Sequence, residues 1–527
     1  MDEWLEAHKI TPEQASLARK ILEEVRNGAD VFAVTRRYPL PGGGYLAKHV
    51  LVAVYQQLVA SGEWTADATL LARIRMKPVR SLSGVTTVTV LTRPYPCPGQ
   101  CIFCPTEADM PKSYLADEPG AARAFQHGFD PYAQVRSRLD SYVAVGHPID
   151  KIELLILGGS WSSYPRSYQE AFVQRCFDAL NGGESSSLAE AQQRNETARS
   201  RNVGLVVELR PDQVTAAELT WLRRLGVTKV QMGAQSLDER ILALNRRGHT
   251  AAQTLQATAL LRAAGFKIVL HWMPNLLGAT PESDREDFAR LWQGYCPDEI
   301  KIYPTQLLES AALYKFWQEG AYQPYDTETL IDLLATIKPT IPPYCRVNRI
   351  IRDIPAQHIV AGSRRSSLRQ DVLNEVARRG QRCHCIRCRE VRGQAVAVEQ
   401  LRLQDLTYPA GWAEEHFLQF VLPTGQLAGY LRLSLPGPES AALGMSDLEG
   451  AALIREVHVY GQALAVGAEQ AGAAQHAGLG TRLLEEAAQL AAQRGFRRLA
   501  VIAAVGTRPY YARRGFAPGE LYMVRAL

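Results

Sequence analysis

Three cysteines inside eight residues constrain this chain more than any other feature: Cys97, Cys101 and Cys104. They fall in Pro96-Cys97-Pro98-Gly99-Gln100-Cys101-Ile102-Phe103-Cys104-Pro105, a loop that follows a β-branched run at 85–91. Tight cysteine clusters in a long chain whose residues 1–10 lack an apolar core read as metal sites rather than as a disulfide framework. Three thiolates can hold three irons of a four-iron cubane and leave the fourth open to an incoming ligand. A zinc site would want a fourth protein ligand.

The rest of the chain must build a fold around that loop. At 527 residues it is too long for one ordinary core. Its 46% apolar and 21% charged residues exclude a disordered or fibrous class. The apolar run at 50–55 is far too short to span a membrane, so a cytoplasmic protein without a membrane partner is expected. Residues 1–75 read as helices carrying a basic surface that suits RNA. Thr11 caps a first helix and Pro12 stands at its first position, a second helix occupies 44–61, and the Pro39 to Gly44 segment forms the loop between them.

Between 76 and 340, short β-branched runs at 85–91, 152–157, 203–209, 227–232, 267–270 and 299–303 alternate with helical stretches. This pattern implies parallel βαβ units. The residues that follow the runs, Cys97, Gly158-Gly159, Arg210, Gln235 and His271, favour a partial TIM-type (βα)6 barrel, because chemistry in such barrels gathers at the C-terminal rim. The polar stretch at 181–202 is expected to be a surface loop.

Residues 341–395 form an arginine-rich connector. From Arg346 to Arg392 there are twelve arginines against four acids, although the whole chain carries only +5. Such asymmetry fits a phosphate backbone, and equally a solvated face with local ion pairs. Within it lie Cys383, Cys385 and Cys388, whose spacing suits structural zinc. Cys345 and His384 are the candidates for a fourth ligand.

Residues 396–527 read as a separate α+β unit. Gln475-His476-Ala477-Gly478-Leu479-Gly480 precedes an amphipathic helix, and glycines there let backbone N–H groups reach a pyrophosphate at a helix N-terminus. The segment resembles the acyl-coenzyme-A signature of GNAT acetyltransferases, as do Gly506-Thr507-Arg508-Pro509-Tyr510-Tyr511 and Gly515-Phe516. Tyr510, favoured over Tyr511, could protonate a departing thiolate or simply pack. Glu456 and His458 could act as bases or as structural strand residues.

The cysteine loop, with Phe103 before its third cysteine, resembles the radical SAM superfamily. That resemblance implies a [4Fe-4S] cluster and S-adenosyl-L-methionine (SAM). Leu157-Gly158-Gly159-Ser160 resembles the element that holds the methionyl amine. Glu208 and Arg210, on the third strand, could take the ribose hydroxyls and carboxylate of SAM or form an ordinary ion pair with the residues around them.

Both signatures together, with Lys77-Pro78-Val79-Arg80-Ser81-Leu82-Ser83-Gly84-Val85, Arg352-Asp353-Ile354-Pro355 and Tyr522-Met523-Val524, resemble the catalytic subunit of the Elongator complex in a stand-alone bacterial or archaeal form. The resemblance implies carboxymethyl-type modification of the wobble uridine of tRNA at carbon 5, with acetyl-CoA as carbon source. It assigns Lys151, Glu456, Val457, His458, Val459, Ala477, Gly478, Leu479, Gly480 and Tyr510 to acetyl-CoA. Lys151 is unexpected, since it begins a strand whose other end carries Gly158 and Gly159, and the domain interface is the alternative place for it. The first cysteine spacing is shorter than in eukaryotic relatives, and the three-cysteine zinc loop is fuller. The reading needs no obligate partner subunit and allows a homo-oligomer. The rival function is a protein lysine acetyltransferase whose iron-sulfur domain is structural.

Overall fold

The computed structural model describes residues 10–81, 83–392, 394, 396–460 and 478–527. The first helix, Pro12–Arg26, starts as its sequence requires: Thr11 accepts from the Gln14 amide and the Gln14 side chain returns the bond. It packs with Lys48–Ala60 around Ile21, Leu22, Leu51 and Tyr55, a core separate from the rest of the molecule. Gln56 and Arg75 tie this unit to the end of helix Pro131–Ala144 through the carbonyls of Val143 and Gly146.

The central sheet contains seven parallel strands: β1 (Thr86–Leu91), β2 (Lys151–Leu157), β3 (Arg201–Leu209), β4 (Lys229–Gln235), β5 (Lys267–Trp272), β6 (Glu299–Ile302) and, after a short β7 (Leu307–Leu308), β8 (Arg346–Ile350). They neighbour one another in chain order, with β1 and β8 at the two free edges, so the sheet is a half-barrel. Six strands were expected. The seventh lies in the segment read as connector, where Arg-Val-Asn-Arg-Ile looks basic rather than strand-like. The stretch at 181–202 likewise holds more than a loop: Ser187 caps a helix over Leu188–Asn195. β9 (Ile359–Ala361) pairs with β7 outside the barrel.

The C-terminal unit is a second seven-stranded sheet: β10 (Arg402–Ala410), β11 (Ala413–Val421), β12 (Leu427–Pro436), β13 (Ala451–Val459), β14 (Arg498–Val501), β15 (Ala517–Pro518) and β16 (Met523–Ala526), in the order 10-11-12-13-14-16-15. Every pairing is antiparallel except β13 with β14. That parallel pairing stops at Ile454 and Val501, beyond which β13 diverges from β14. Helix Leu479–Gln493 packs across β12 and β13.

The two units share one hydrophobic core and lock through buried charge at the N-terminal mouth of the barrel. Asp298, just before β6, takes both arms of Arg455 at 2.6 and 2.8 Å, with Arg432 at 3.4 Å and Arg262 at 3.8 Å. Glu415 accepts from Arg455 at 2.8 Å and lies 3.5 Å from Arg262. All five side chains are at most 1% exposed. Buried charges persist only when paired and hydrogen-bonded, and here arginines from both units share the same carboxylates.

Candidate active site between the two domains

The cysteine loop leaves β1 and crosses the C-terminal rim. It is pinned there by Ile102 N–H to the Asn245 carbonyl and by Leu313 N–H to the Ile102 carbonyl. Phe103 packs into an apolar cluster with Ile241, Leu276 and Leu277. All three cysteines face one cavity. Among the described residues their sulfurs do not gather within 4.8 Å of one another, as those of the second cluster do. The Cys101 thiol is pulled down to about 5 by the hydrogen bond from Cys104 and then by Arg247 and Arg210, against the effect of burial. Arg247 also donates to Cys101 Sγ at 3.5 Å. Cys101 is thus held toward the thiolate form that binds metal, while Cys104 is pushed the other way by its hydrogen bond with Cys101 and by burial.

Beside the loop, Gly158 and Gly159 adopt φ of +120° and +108°. A Cβ on Gly158 would lie 2.2 Å from Thr92 Oγ1, so only glycine fits. Arg210 is oriented by Asp212 at 2.9 Å and by the Arg247 carbonyl at 3.0 Å, while its Nη1 is buried without a partner, as is Gln235 Oε1. Glu208 accepts from the Tyr114 hydroxyl at 3.0 Å and lies 4.0 Å from Lys301. Two orphaned polar atoms, a glycine cradle and a carboxylate at one rim form a polar site whose lining fits SAM.

The same cavity, about 870 Å³, continues down the barrel and opens against β13 at Glu456, Val457 and His458. Its lower wall carries Lys229, bonded to Glu153 at 2.6 Å and 3.4 Å from Glu299, and Lys267, which pairs with Glu456. Glu456 also accepts from Tyr430 at 2.8 Å and from Arg432 at 2.9 Å. Burial would raise its carboxyl, but Lys267 and Arg432 hold it well below the usual carboxylate range. A carboxylate so firmly ionised is a poor base and a good tether. His458 differs: burial lowers it to about 4, so the ring is neutral, and its Nε2 is buried without a partner.

The acyl-coenzyme-A elements converge on the splay of β13 from β14. Gly478, with φ of +68°, starts the helix with no side-chain cap of its own, and the first-turn N–H groups of a helix suit phosphate. A Cβ on Gly480 would lie 2.6 Å from the Tyr510 hydroxyl and 3.8 Å from Val459, which brings Leu479, Gly480, Val459 and Tyr510 to one spot. Burial raises the Tyr510 hydroxyl, keeping its proton in place for donation. Tyr511 faces the cavity instead. Gln475, His476 and Ala477 lie outside the described residues. Lys151 begins β2 opposite Arg201, and Gly506 sits on the Arg201 to Asn202 backbone, so Lys151 stands at the domain interface.

The second cysteine cluster is formed as expected in its three main members. The sulfurs of Cys383, Cys385 and Cys388 lie within 4.8 Å of one another. Cys345 is not brought into the group; its thiol turns to the Arg346 carbonyl, 3.9 Å away. Lys338 stands over the triad at 3.1, 3.9 and 3.7 Å. Hydrogen bonds from Cys383 and Cys388 hold Cys385 well below the usual thiol range. Sequence spacing could not reveal Lys338, which lies 45 residues from Cys383.

An open triad of cysteines on the rim of a parallel half-barrel, joined through one cavity to an acyl-coenzyme-A fold, defines a radical SAM enzyme fused to a GNAT acetyltransferase. The Radical SAM superfamily matches residues 95–291, the Radical SAM C-terminal domain 297–379, and the Acetyltransferase (GNAT) family 388–516. The chain is 43% identical over 456 residues to the tRNA uridine(34) acetyltransferase of Dehalococcoides mccartyi, covering 85% of this chain and 99% of that one. It is 34% identical over 480 residues to Elongator complex protein 3 of Danio rerio, covering 87% of each. The solved structure of the archaeal Methanocaldococcus infernus Elp3 with its N-terminus deleted superposes with a TM-score of 0.74 at 34% identity, covering 85% of this chain and all of that one. The chain belongs to the tRNA uridine(34) acetyltransferase and Elongator complex protein 3 family.

Proposed function

We propose that the protein modifies carbon 5 of the wobble uridine of tRNA with a carboxymethyl-type group, using acetyl-CoA and a SAM-derived radical. The single observation that carries this reading is the continuous cavity with the cysteine triad at one end and β13 at the other. When bound, the cluster and SAM supply a 5'-deoxyadenosyl radical, and acetyl-CoA supplies the two-carbon unit. Cys97, Cys101 and Cys104 would hold the cluster; Gly158, Gly159, Glu208 and Arg210 would hold SAM. Gly478 to Gly480 and the stretch from Glu456 to Val459 would hold the coenzyme, with Tyr510 as proton donor to its sulfur.

The neutral His458 ring, with an open nitrogen, is the better candidate base, while Glu456 fixes β13 to the barrel through Lys267. Cys383, Cys385 and Cys388 hold one zinc in this reading, which braces the arginine-rich segment for RNA at a lower entropic cost. The thiol ligands suit the reducing cytoplasm, and among the described residues no helix is long and apolar enough to cross a membrane. The rival reading, acetylation of protein lysines, is disfavoured because the barrel mouth covers the face on which β13 and β14 diverge.

The test is anaerobic incubation of cluster-loaded protein with SAM, dithionite, acetyl-CoA and tRNA, followed by mass spectrometry of the wobble uridine. A mass gain that needs all three small molecules is expected. Acetyl transfer to peptides without SAM, together with unmodified tRNA, would overturn the reading.

A further inference from the structure

The half-barrel does not close by pairing β1 with β8, so its C-terminal rim lacks a wall between these two edge strands. The loop after the third cysteine fills this gap, and the chain beyond β8 reaches back to hold it. Arg352 donates to the Ser113 carbonyl at 2.6 Å, to Ser113 Oγ at 3.1 Å and to Glu118 Oε1 at 3.1 Å. Ser113 has φ of +81°, a left-handed backbone that a non-glycine residue keeps only when its surroundings enforce it. The next residue, Tyr114, is the one whose hydroxyl donates to Glu208. The Arg352 guanidinium lies 5.8 Å from the Tyr114 ring. Gln357 and His358 add a second clasp on Asp117, at 3.0 and 2.6 Å.

We propose that Arg352 is a positioning residue for SAM, acting through Ser113 and Tyr114 to orient the Glu208 carboxylate. The proposal rests on the reading above that Glu208 faces SAM. Arg352 lines the same cavity, but its hydrogen bonds go to Ser113 and Glu118, and through them it holds the loop that carries Tyr114. Tyr114 contributes one hydroxyl, and that hydroxyl matters because a carboxylate accepting a directed hydrogen bond keeps one oxygen fixed and presents the other.

The experiment measures the equilibrium affinity of the anaerobically reconstituted full chain for SAM, with iron content, cluster absorbance and acetyl-CoA affinity as controls. Arg352→Gln and Tyr114→Phe are each expected to weaken SAM binding about tenfold, the scale typical of losing an outer partner of a ligand-holding residue. The double variant should bind no more weakly than the worse single one, because both act along one path. Cluster content and acetyl-CoA affinity should stay at wild-type values. Should Arg352→Gln fail to fold, Tyr114→Phe decides, since it keeps every Arg352 bond. Tyr114→Phe at wild-type SAM affinity overturns the proposal, as does Arg352→Gln at wild-type affinity or a double variant whose losses multiply. Wild-type protein that holds its cluster but binds no SAM overturns the site reading itself, an outcome distinct from either.

Discussion

Asp298→Asn should weaken the joint between the two domains, although Asp298 itself is not among the cavity-lining residues. Around this carboxylate, Arg262, Arg432 and Arg455 face Asp298 and Glu415, and Arg432 also reaches Glu456, which Lys267 shares. The amide keeps the shape and removes one negative charge, leaving the buried guanidinium groups undercompensated. Breaking a buried pair in this way costs about 3–5 kcal/mol, which lowers the melting midpoint by roughly 10 °C for a unit of this size.

The pH dependence follows from the same contacts. Burial would raise the Asp298 carboxyl, but Arg455, Arg432 and Arg262 together hold it well below the usual range. A depressed folded-state value stabilises the protein above the unfolded value of about 3.9, and that contribution is lost only as pH falls further. The gap between wild type and variant should therefore be constant from pH 8 to about 5 and narrow below about 4. Thermal melts across that range, with limited proteolysis to report domain separation, measure it. A cost under about 1 kcal/mol, or a gap that already closes between pH 8 and 6, would refute the reasoning.

The other expectations can be checked with the same protein. Cys101→Ser should abolish the four-iron absorbance and leave zinc content intact, while Cys383→Ser does the reverse, both read by metal analysis. Gly158→Ala should weaken SAM binding more than Gly159→Ala, because its methyl would meet Thr92 whereas the other meets nothing within 4 Å; isothermal titration ranks the two. Tyr510→Phe should slow turnover of acetyl-CoA by about a hundredfold or more with little change in KM, the usual scale for loss of a general acid. Burial raises the Asp284 carboxyl to about 7. Stability should therefore fall as pH rises from about 4 through 7, and Asp284→Asn should flatten that slope in urea titrations.

How much of this was legible in the sequence depended on how local each signal is. The cysteine loop, the Gly158 to Gly159 turn and the Thr11 cap are set by residues within a few positions, and each stands where its spacing placed it. The seventh strand was hidden because Arg346, Asn348 and Arg349 interrupt its apolar face; it is recognisable only beside β6, where Asn348 bonds Glu299. Lys338 and Cys383, Arg455 and Asp298, and Arg352 and Glu118 lie 45, 157 and 234 residues apart, and no window of sequence contains them.

One long-range feature did leave a local trace. Strands of a parallel sheet covered on both faces are ordinarily continuous apolar runs, yet β4, β5 and β6 carry Lys229, Gln231, Lys267, His271, Glu299 and Lys301 at alternating positions. Alternation of this kind says that one face of each strand meets polar groups, and in a half-barrel that face is the lumen. Charge inside the barrel is costly unless each group is paired, and the lower pairs are completed by Glu456 of the other domain. The polar lumen and the docked acyl-coenzyme-A fold therefore require each other, which is why the two chemistries share one cavity instead of merely one chain.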